Sequence, residues 1–272
     1  KTRNLFRRTL TTLQERYGAF NLCRMPEKHD LWAWRGASIV GDEKWDVVVT
    51  TGWPYSTHII GNRLTRRDVN TCWVLDWRDL WTDNHIYPGL PLMRGVERWI
   101  EHAFHQKADV ITTVSEPLAA ILRRQAGDKV EVIYNGFDPD DYASRPAERI
   151  FPADDVLRIV YTGTLYPGKR DPTPLFAAIR SLDEQQLTDP TCLQVVMAGR
   201  NANVAEIAGR EGVAEYVQYA GFVPRQDALR MQRDANLLLF LEYSAPGVEG
   251  ILTGKLFEYL AAYPPIIAVG IG

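Results

Sequence analysis

The sequence contains few cysteines and no long apolar segment. Cys23, Cys72 and Cys192 lie far apart and form no Cys-x-x-Cys pair, which argues against a disulfide framework or a zinc site and favours a reducing compartment. No apolar run reaches the roughly 18 residues of a membrane span, and the first residues lack the apolar core of a signal peptide. We therefore expect a cytoplasmic protein without a structural metal.

The chain also lacks a strong charge excess and the motifs of several enzyme classes. Its net charge of −3 gives no reason to expect nucleic acid as a partner. No Gly-x-Gly-x-x-Gly follows a predicted strand, which argues against a dinucleotide-dependent dehydrogenase. The five histidines are scattered and show neither a Ser/His/Asp arrangement nor a metal-binding spacing.

The two halves of the chain differ in composition. Residues 1–70 hold 12 Lys/Arg against 7 Asp/Glu, and all eight tryptophans fall between Trp32 and Trp99. An amphipathic helical pattern over 3–17 carries arginines on its polar side, and the chain does not open with methionine. We expect a piece of a longer protein, whose basic helix either contacts a membrane surface or packs on the first domain.

Apolar, strand-like segments alternate with helical segments along the whole chain. The predicted strands are 45–52, 71–77, 108–114 and 129–136, followed by 157–163, 193–199, 216–221, 235–241 and 264–270. A polar, proline-bearing linker over 138–156 separates the two series. This alternation predicts two α/β domains with parallel sheets, over 1–140 and 155–272. Such domains bind ligands at the carboxyl ends of their strands, so the residues just after each strand are candidates.

Two loops of the second half have the chemistry of an anion site. After strand 157–163, the segment YTGTLYPGKRDP brings Gly163, Lys169 and Arg170 close together, which suits a phosphate or diphosphate. A glycine turn with two solvated basic residues is the alternative. Near the end, a helix begins at Gly254 with Lys255 in its first turn, and its free N–H groups also favour an anion.

The same terminal helix carries a carboxylate. Thr253 is predicted to cap the helix, and Glu258 follows Gly254 by about one turn. A carboxylate at this place suits the hydroxyls of a ribose, although a first-turn acid also stabilises a helix dipole without any ligand. Taken together, the two anion loops and Glu258 indicate a site for a nucleotide diphosphate.

The first half offers a weaker set of candidates. Asp76, Arg78, Asp79 and Asp83 crowd the end of strand 71–77, either as the wall of a polar cleft or as an internally paired cluster. Ser56 and His58 stand at the start of a helix after strand 45–52. His58 is a candidate proton carrier, with a packed core histidine as the alternative.

Six segments, in order, resemble the retaining GT-B glycosyltransferases of family 4. They are VLDWRDLWTDN, VITTVSEPLAAIL, VEVIYNGFDPDDY, YTGTLYPGKRDP, YAGFVPRQDAL and TGKLFEYLAAYPPIIAVG. The resemblance covers nearly the whole chain. It implies two Rossmann-like domains that face each other across a cleft, both incomplete, with the acceptor bound by the first and a nucleotide-diphosphate sugar by the second.

The resemblance also implies roles for particular residues, with two departures from the family pattern. Thr164 stands where the family has an arginine, so that Arg170 takes part of its role. Gly250 stands where the family has its first glutamate, and the adjacent Glu249 is a candidate substitute. The implied donor site consists of Gly163, Thr164, Lys169, Arg170, Gly199, Glu249, Gly250, Thr253, Gly254, Lys255 and Glu258. The implied catalytic residues on the acceptor side are His58, Arg78 and Asp79.

The reaction implied by the resemblance is sugar transfer with retention at the anomeric carbon and without a covalent enzyme intermediate. The donor is expected to be UDP- or GDP-linked and the acceptor a glycan or a lipid-linked molecule, with neither cofactor nor metal. Two alternatives remain open at this point. One is a nucleotide-sugar-binding protein without catalysis, and the other is a nucleotide-sugar epimerase of the same fold.

Overall fold

The structure is a computed structural model that describes residues 25, 29–40, 43–84, 87, 90–143, 149–165, 170–200, 203–242 and 253–270. The chain divides into two compact units, with unit 1 running up to Tyr134 and unit 2 beginning at Asn135. The basic segment 3–17 lies outside the described residues. Within the described part, no helix is both long and apolar enough to cross a membrane.

Unit 1 is built on a parallel sheet of four strands in the order β1-β2-β3-β4. The strands are β1 (Val47–Thr51), β2 (Cys72–Trp77), β3 (Val110–Thr113) and β4 (Val130–Val132). The helices between and before them are α1 (Asp30–Ile39), α2 (Thr57–Arg67), α3 (Arg94–Lys107) and α4 (Glu116–Ala126). Each strand is apolar over most of its length because helices cover a parallel sheet.

The core of unit 1 is rich in large aromatic side chains. Trp73, Trp77 and Trp81 are completely buried and pack with Phe104 of α3. A carboxylate links three neighbouring strands at their ends, since Asp76 accepts hydrogen bonds from Thr51 at 2.7 Å and from Thr112 at 2.8 Å. The tryptophans of the first half that lie in β2 therefore build the core.

Unit 2 is built on a parallel sheet of five strands in the order β7-β6-β5-β8-β9. The strands are β5 (Leu157–Thr162), β6 (Leu193–Ala198), β7 (Val217–Gly221), β8 (Leu237–Leu241) and β9 (Ile266–Val269). The helices are α5 (Asp140–Ala143), α6 (Thr173–Glu184), α7 (Val204–Arg210), α8 (Arg225–Asp234) and α9 (Gly254–Ala262). The predicted α/β architecture with two parallel sheets is confirmed.

The strand order of unit 2 determines where a ligand fits. The chain proceeds from β5 to β6 and β7 on one side, and then crosses to β8 and β9 on the other side of β5. In open α/β sheets, such a reversal opens a crevice outside the carboxyl ends of the central strands. The end of β5, at Thr162 and Gly163, lies at this reversal.

Candidate functional site

A pocket of 490 Å³ opens at the carboxyl ends of β5, β6 and β7 and is bordered by α8 and α9. All of its lining residues belong to unit 2. Those that define its chemistry are Gly163, Gly199, Arg225, Gln232, Lys255 and Glu258. The pocket thus lies at the reversal of strand order, where the topology of unit 2 favours ligand binding.

Two glycines let the strand ends approach each other and the helix. Gly163 and Gly199 have φ angles of 147° and 132°, which other residues rarely adopt. A Cβ on Gly199 would overlap the backbone carbonyl of Gly163, and a Cβ on Gly163 would overlap the Lys255 ammonium. Both positions therefore require glycine, and the absence of side chains leaves the backbone open to the pocket.

Lys255 places a buried cation beside Gly163. Its Nζ lies 4.0 Å from the centroid of the Tyr161 ring and has no hydrogen-bond partner among the described residues. Burial, together with the nearby Arg170, lowers the pKa of Lys255 to about 7, while Glu258 opposes this shift. A buried ammonium without a hydrogen-bonded partner is costly, and an anionic ligand in the pocket would supply one.

Glu258 lines the same pocket and already has a partner. Its Oε1 accepts a hydrogen bond from Arg225 at 2.9 Å, and the other branch of the Arg225 guanidinium contacts Asp141 of α5 at 2.5 Å. The hydroxyl of Tyr142 donates to the backbone carbonyl of Glu258 at 3.0 Å. The α5 segment is thereby attached to the rim of the pocket, and the Glu258 carboxylate is held in one orientation.

Sequence reasoning missed Arg225 and Gln232. Arg225 is the first residue of α8, where the positive end of the helix dipole disfavours a cation. A cation at this unfavourable position predicts a nearby carboxylate that offsets the repulsion, and this could have drawn attention to Arg225. Gln232 gave no signal of its own, since a single glutamine in a helix has no pattern.

The remaining predicted donor residues divide into two groups. Thr164 lines the pocket and accepts a hydrogen bond from Tyr161 at its backbone carbonyl. Thr253 stands at the predicted N-cap position of α9, but its side chain makes no capping bond. Arg170 lies close enough to Lys255 to lower the pKa of its ammonium. Gly254 begins the helix as predicted. Outside the described residues lie Lys169, Glu249 and Gly250.

In unit 1, His58 is completely buried. Its Nδ1 lies 2.9 Å from the Thr50 hydroxyl, and its ring packs against Trp77 with centroids 4.5 Å apart. Burial and the neighbouring His105 lower the pKa of His58 to about 3, so that the ring is neutral near pH 7. Arg78 and Asp79, by contrast, are exposed just after β2. The structure therefore places His58 in the core and the other two at the surface.

The described residues contain no cluster of three or more His, Cys, Asp or Glu side chains arranged to hold a metal ion. Asp83, which follows β2, has protein partners. Asp83 accepts hydrogen bonds from Gln125 at 2.7 Å and from Arg98 at 3.5 Å. These contacts attach the loop after β2 to the helices α3 and α4.

Comparisons with known proteins agree with this architecture. Residues 8–136 match the family described as a glycosyl transferase 4-like domain. A search of curated proteins finds no match to the chain. Among solved structures, the sucrose-phosphate synthase of Thermosynechococcus elongatus is 15% identical, with a TM-score of 0.56 over 89% of this chain and 61% of that one.

Two further structures are similar. WaaG, a glycosyltransferase of lipopolysaccharide biosynthesis, is 15% identical, with a TM-score of 0.53 over 78% of this chain and 63% of its own. A trehalose-6-phosphate synthase studied for glycosyl transfer with retention is 15% identical, with a TM-score of 0.56 over 87% and 62%. The chain therefore spans about three fifths of the length of these structures.

These similarities show that the chain has the GT-B fold, with two Rossmann-like domains. More particularly, residues 8–136 are similar to the glycosyl transferase 4-like domain. The resemblance deduced from the six sequence segments is confirmed at this level.

Proposed function

We propose that the chain belongs to a glycosyltransferase that moves a sugar from a nucleotide-diphosphate donor to a glycan or lipid-linked acceptor with retention. The observation that carries the proposal is the Lys255 ammonium, which is buried beside Gly163 at the end of β5 and has no hydrogen-bond partner among the described residues. A diphosphate in the adjoining pocket would complete its interactions.

The residues of the pocket divide the work of binding the donor. Lys255 and the N–H groups at the start of α9 would bind the diphosphate and stabilise the charge that grows on it as the sugar leaves. Gly163 and Gly199 would allow the phosphates to approach the backbone. Arg225 uses only Oε1 of Glu258, and Oε2 makes no hydrogen bond to the described residues, so it is available for a ribose hydroxyl.

Two observations support retention without a covalent intermediate. Glu258 is the one carboxylate among the described lining residues, and its bond to Arg225 holds it as a binding group rather than a nucleophile. A trehalose-6-phosphate synthase of similar fold is described in connection with transfer with retention. We further propose that the donor is UDP- or GDP-linked, that no metal takes part, and that Arg78 and Asp79 face the acceptor.

Calorimetric titration with UDP, GDP and their sugars tests the donor site. We expect Lys255→Met and Glu258→Gln each to weaken binding of the preferred nucleotide by about tenfold, or about 1.4 kcal/mol, because each removes one charge-assisted bond. Lys44→Met and Glu206→Gln alter exposed residues that do not line the pocket and serve as matched controls. A folded protein that binds no nucleotide, or a Lys255→Met variant that binds as well as the wild type, would refute the proposal.

The presence of Thr164 in place of the family's arginine favours a second candidate, a nucleotide-sugar-binding protein without turnover. Product analysis separates the two, since transfer to an acceptor is expected of a glycosyltransferase and binding alone of the second candidate. Release of free epimerised sugar without any acceptor would identify an epimerase instead.

A further inference from the structure

We propose that Gln232 is a specificity-determining residue of the donor pocket, which recognises the nucleobase by accepting a hydrogen bond from a base N–H at its side-chain oxygen. The inference rests on the proposed function, because it names the part of the nucleotide donor that the residue contacts. No sequence motif drew attention to Gln232.

The geometry begins with an unpaired polar atom on the pocket wall. Gln232 is 1% exposed and lines the pocket from α8. Its Nε2 donates to the Thr162 hydroxyl at 2.8 Å, whereas its Oε1 has no hydrogen-bond partner among the described residues. Whichever way the carboxamide is turned, one polar atom of this pocket-lining residue has no hydrogen-bond partner among the described residues.

Packing alone gives little reason for an amide at this position. Thr162 already has a hydrogen-bond partner in Tyr259. The Tyr259 hydroxyl accepts from the Thr162 backbone N–H at 3.0 Å and lies 3.5 Å from the Thr162 side-chain oxygen. The neighbouring Met231 packs in the apolar cluster on this face of the sheet. An apolar side chain at position 232 would leave no unpaired buried atom, whereas the amide has one for which a ligand in the pocket could supply a partner.

The distribution of charge in the pocket indicates which part of the ligand meets Gln232. The charged groups Lys255 and Glu258 lie on α9, and Arg225 at the start of α8 is paired with Glu258. Arg200 follows β6. The rest of the α8 lining is Ala228, Leu229 and Gln232, and the apolar Val223 follows β7. Ala228, Leu229 and Gln232 share one face of the helix because they are spaced by three and four residues.

A nucleobase has apolar faces and a polar edge, which matches an apolar wall that ends in one neutral amide. A diphosphate prefers cations and backbone N–H groups, and a ribose diol prefers a carboxylate, so these parts of the donor fit the α9 side of the pocket. Uracil and guanine both carry a ring N–H between polar groups, and the Gln232 oxygen can accept from it.

The test compares titrations of UDP, GDP, ADP and inorganic pyrophosphate into the 272-residue chain and its Gln232→Ala and Gln232→Met variants. We expect both variants to weaken binding of the preferred nucleotide about tenfold and the other nucleotides less, so that discrimination falls, while pyrophosphate binds unchanged. Gln226→Ala, on the exposed face of the same helix, is the matched control and should bind like the wild type. Methylation of the ring nitrogen of the preferred nucleotide should weaken its binding to the wild type by a similar factor, which requires no variant.

The outcomes distinguish this inference from the proposed function. Equal weakening of all three nucleotides and pyrophosphate, or no weakening at all, would overturn the role of Gln232 and leave the donor pocket standing. If the wild type binds the nucleotide with the methylated base as tightly as the unmethylated one, the role of Gln232 is likewise overturned. Failure of the wild type to bind any nucleotide or pyrophosphate would remove both proposals together.

Discussion

The buried charge of Lys255 is expected to make nucleotide binding depend on pH. The groups that face its ammonium are the Tyr161 ring, Arg170 and Glu258, and burial is the largest cause of a pKa lowered from 10.5 to about 7. In part of the molecules, Lys255 is therefore neutral at pH 7. A diphosphate bound beside it would favour the charged form and raise the pKa again.

We expect nucleotide binding to take up protons between pH 7.5 and 9, and affinity to fall as the pH rises over that range. The sign follows because free Lys255 has lost its proton above a pKa of about 7, whereas bound Lys255 keeps it. Titrations in buffers of different ionisation enthalpy measure the uptake, and Lys255→Met should abolish it. Uptake that persists unchanged in this variant would show that another group is responsible.

The candidate site was predictable from the sequence only in part. Gly163, the helix start and its two charged residues were recognised because each has a local signal, whereas Gly199 was implied only by the family resemblance. The structure brings Gly163, Gly199, Lys255 and Glu258 to one pocket. Arg225 comes from another helix, and its relation to Glu258, 33 residues away, is set by the fold. Long-range pairs of this kind leave no periodicity in a sequence.

At the scale of elements, the contact between α2 and the sheet of unit 1 depends on one small residue. Gly61 is buried in α2, directly over the Trp73 indole of β2. A Cβ at this position would overlap the indole nitrogen and lie 2.9 Å from Cγ2 of Thr50. Trp73 itself is fixed by its hydrogen bond to the Thr50 hydroxyl at 2.8 Å, so it has little freedom to move away.

We therefore expect Gly61→Ala to lower the free energy of unfolding by about 1–3 kcal/mol, because overpacking displaces the indole. Gly95→Ala is the matched control, since Gly95 lies in the helix α3 with no atom within 4 Å of the added Cβ. That substitution should be neutral or stabilise by up to about 1 kcal/mol through helix propensity. Urea unfolding followed by tryptophan fluorescence measures both, and equal effects of the two changes would contradict the role of Gly61.

At the scale of the whole molecule, the alternation of apolar strands and amphipathic helices was sufficient to predict two parallel α/β sheets. It could not give the order of the strands in unit 2, since crossing from β7 to β8 on the other side of β5 depends on tertiary packing. The burial of His58 and His105 could not be predicted with certainty either, because both lie in helices whose other residues are mostly polar. Burial of single polar side chains is decided by neighbours distant in sequence.

Those buried groups give unit 1 a characteristic response to pH. Burial lowers the pKa of His58 to about 3 and that of His105 to about 4, from an ordinary 6.5. Burial also raises the pKa of Glu101 from 4.5 to about 7, although the Thr82 hydroxyl bonds to its carboxylate and opposes the shift. The histidines take up protons on unfolding below pH 6.5, whereas Glu101 releases one on unfolding between pH 4.5 and 7.

The net effect between pH 4.5 and 6.5 is uptake of about one proton on unfolding, so stability should rise with pH at about 1 kcal/mol per unit. All eight tryptophans lie in unit 1, so fluorescence-monitored urea unfolding reports this unit. Glu101→Gln removes the opposing contribution and should make the rise about twice as steep, whereas Glu131→Gln, at an exposed position of β4, should leave it unchanged. The contradicting result is a free energy of unfolding that does not change between pH 4.5 and 6.5 in either the wild type or Glu101→Gln. It would mean that the two histidines have the same pKa in the folded and unfolded chain, which their burial in the tryptophan-rich core does not allow.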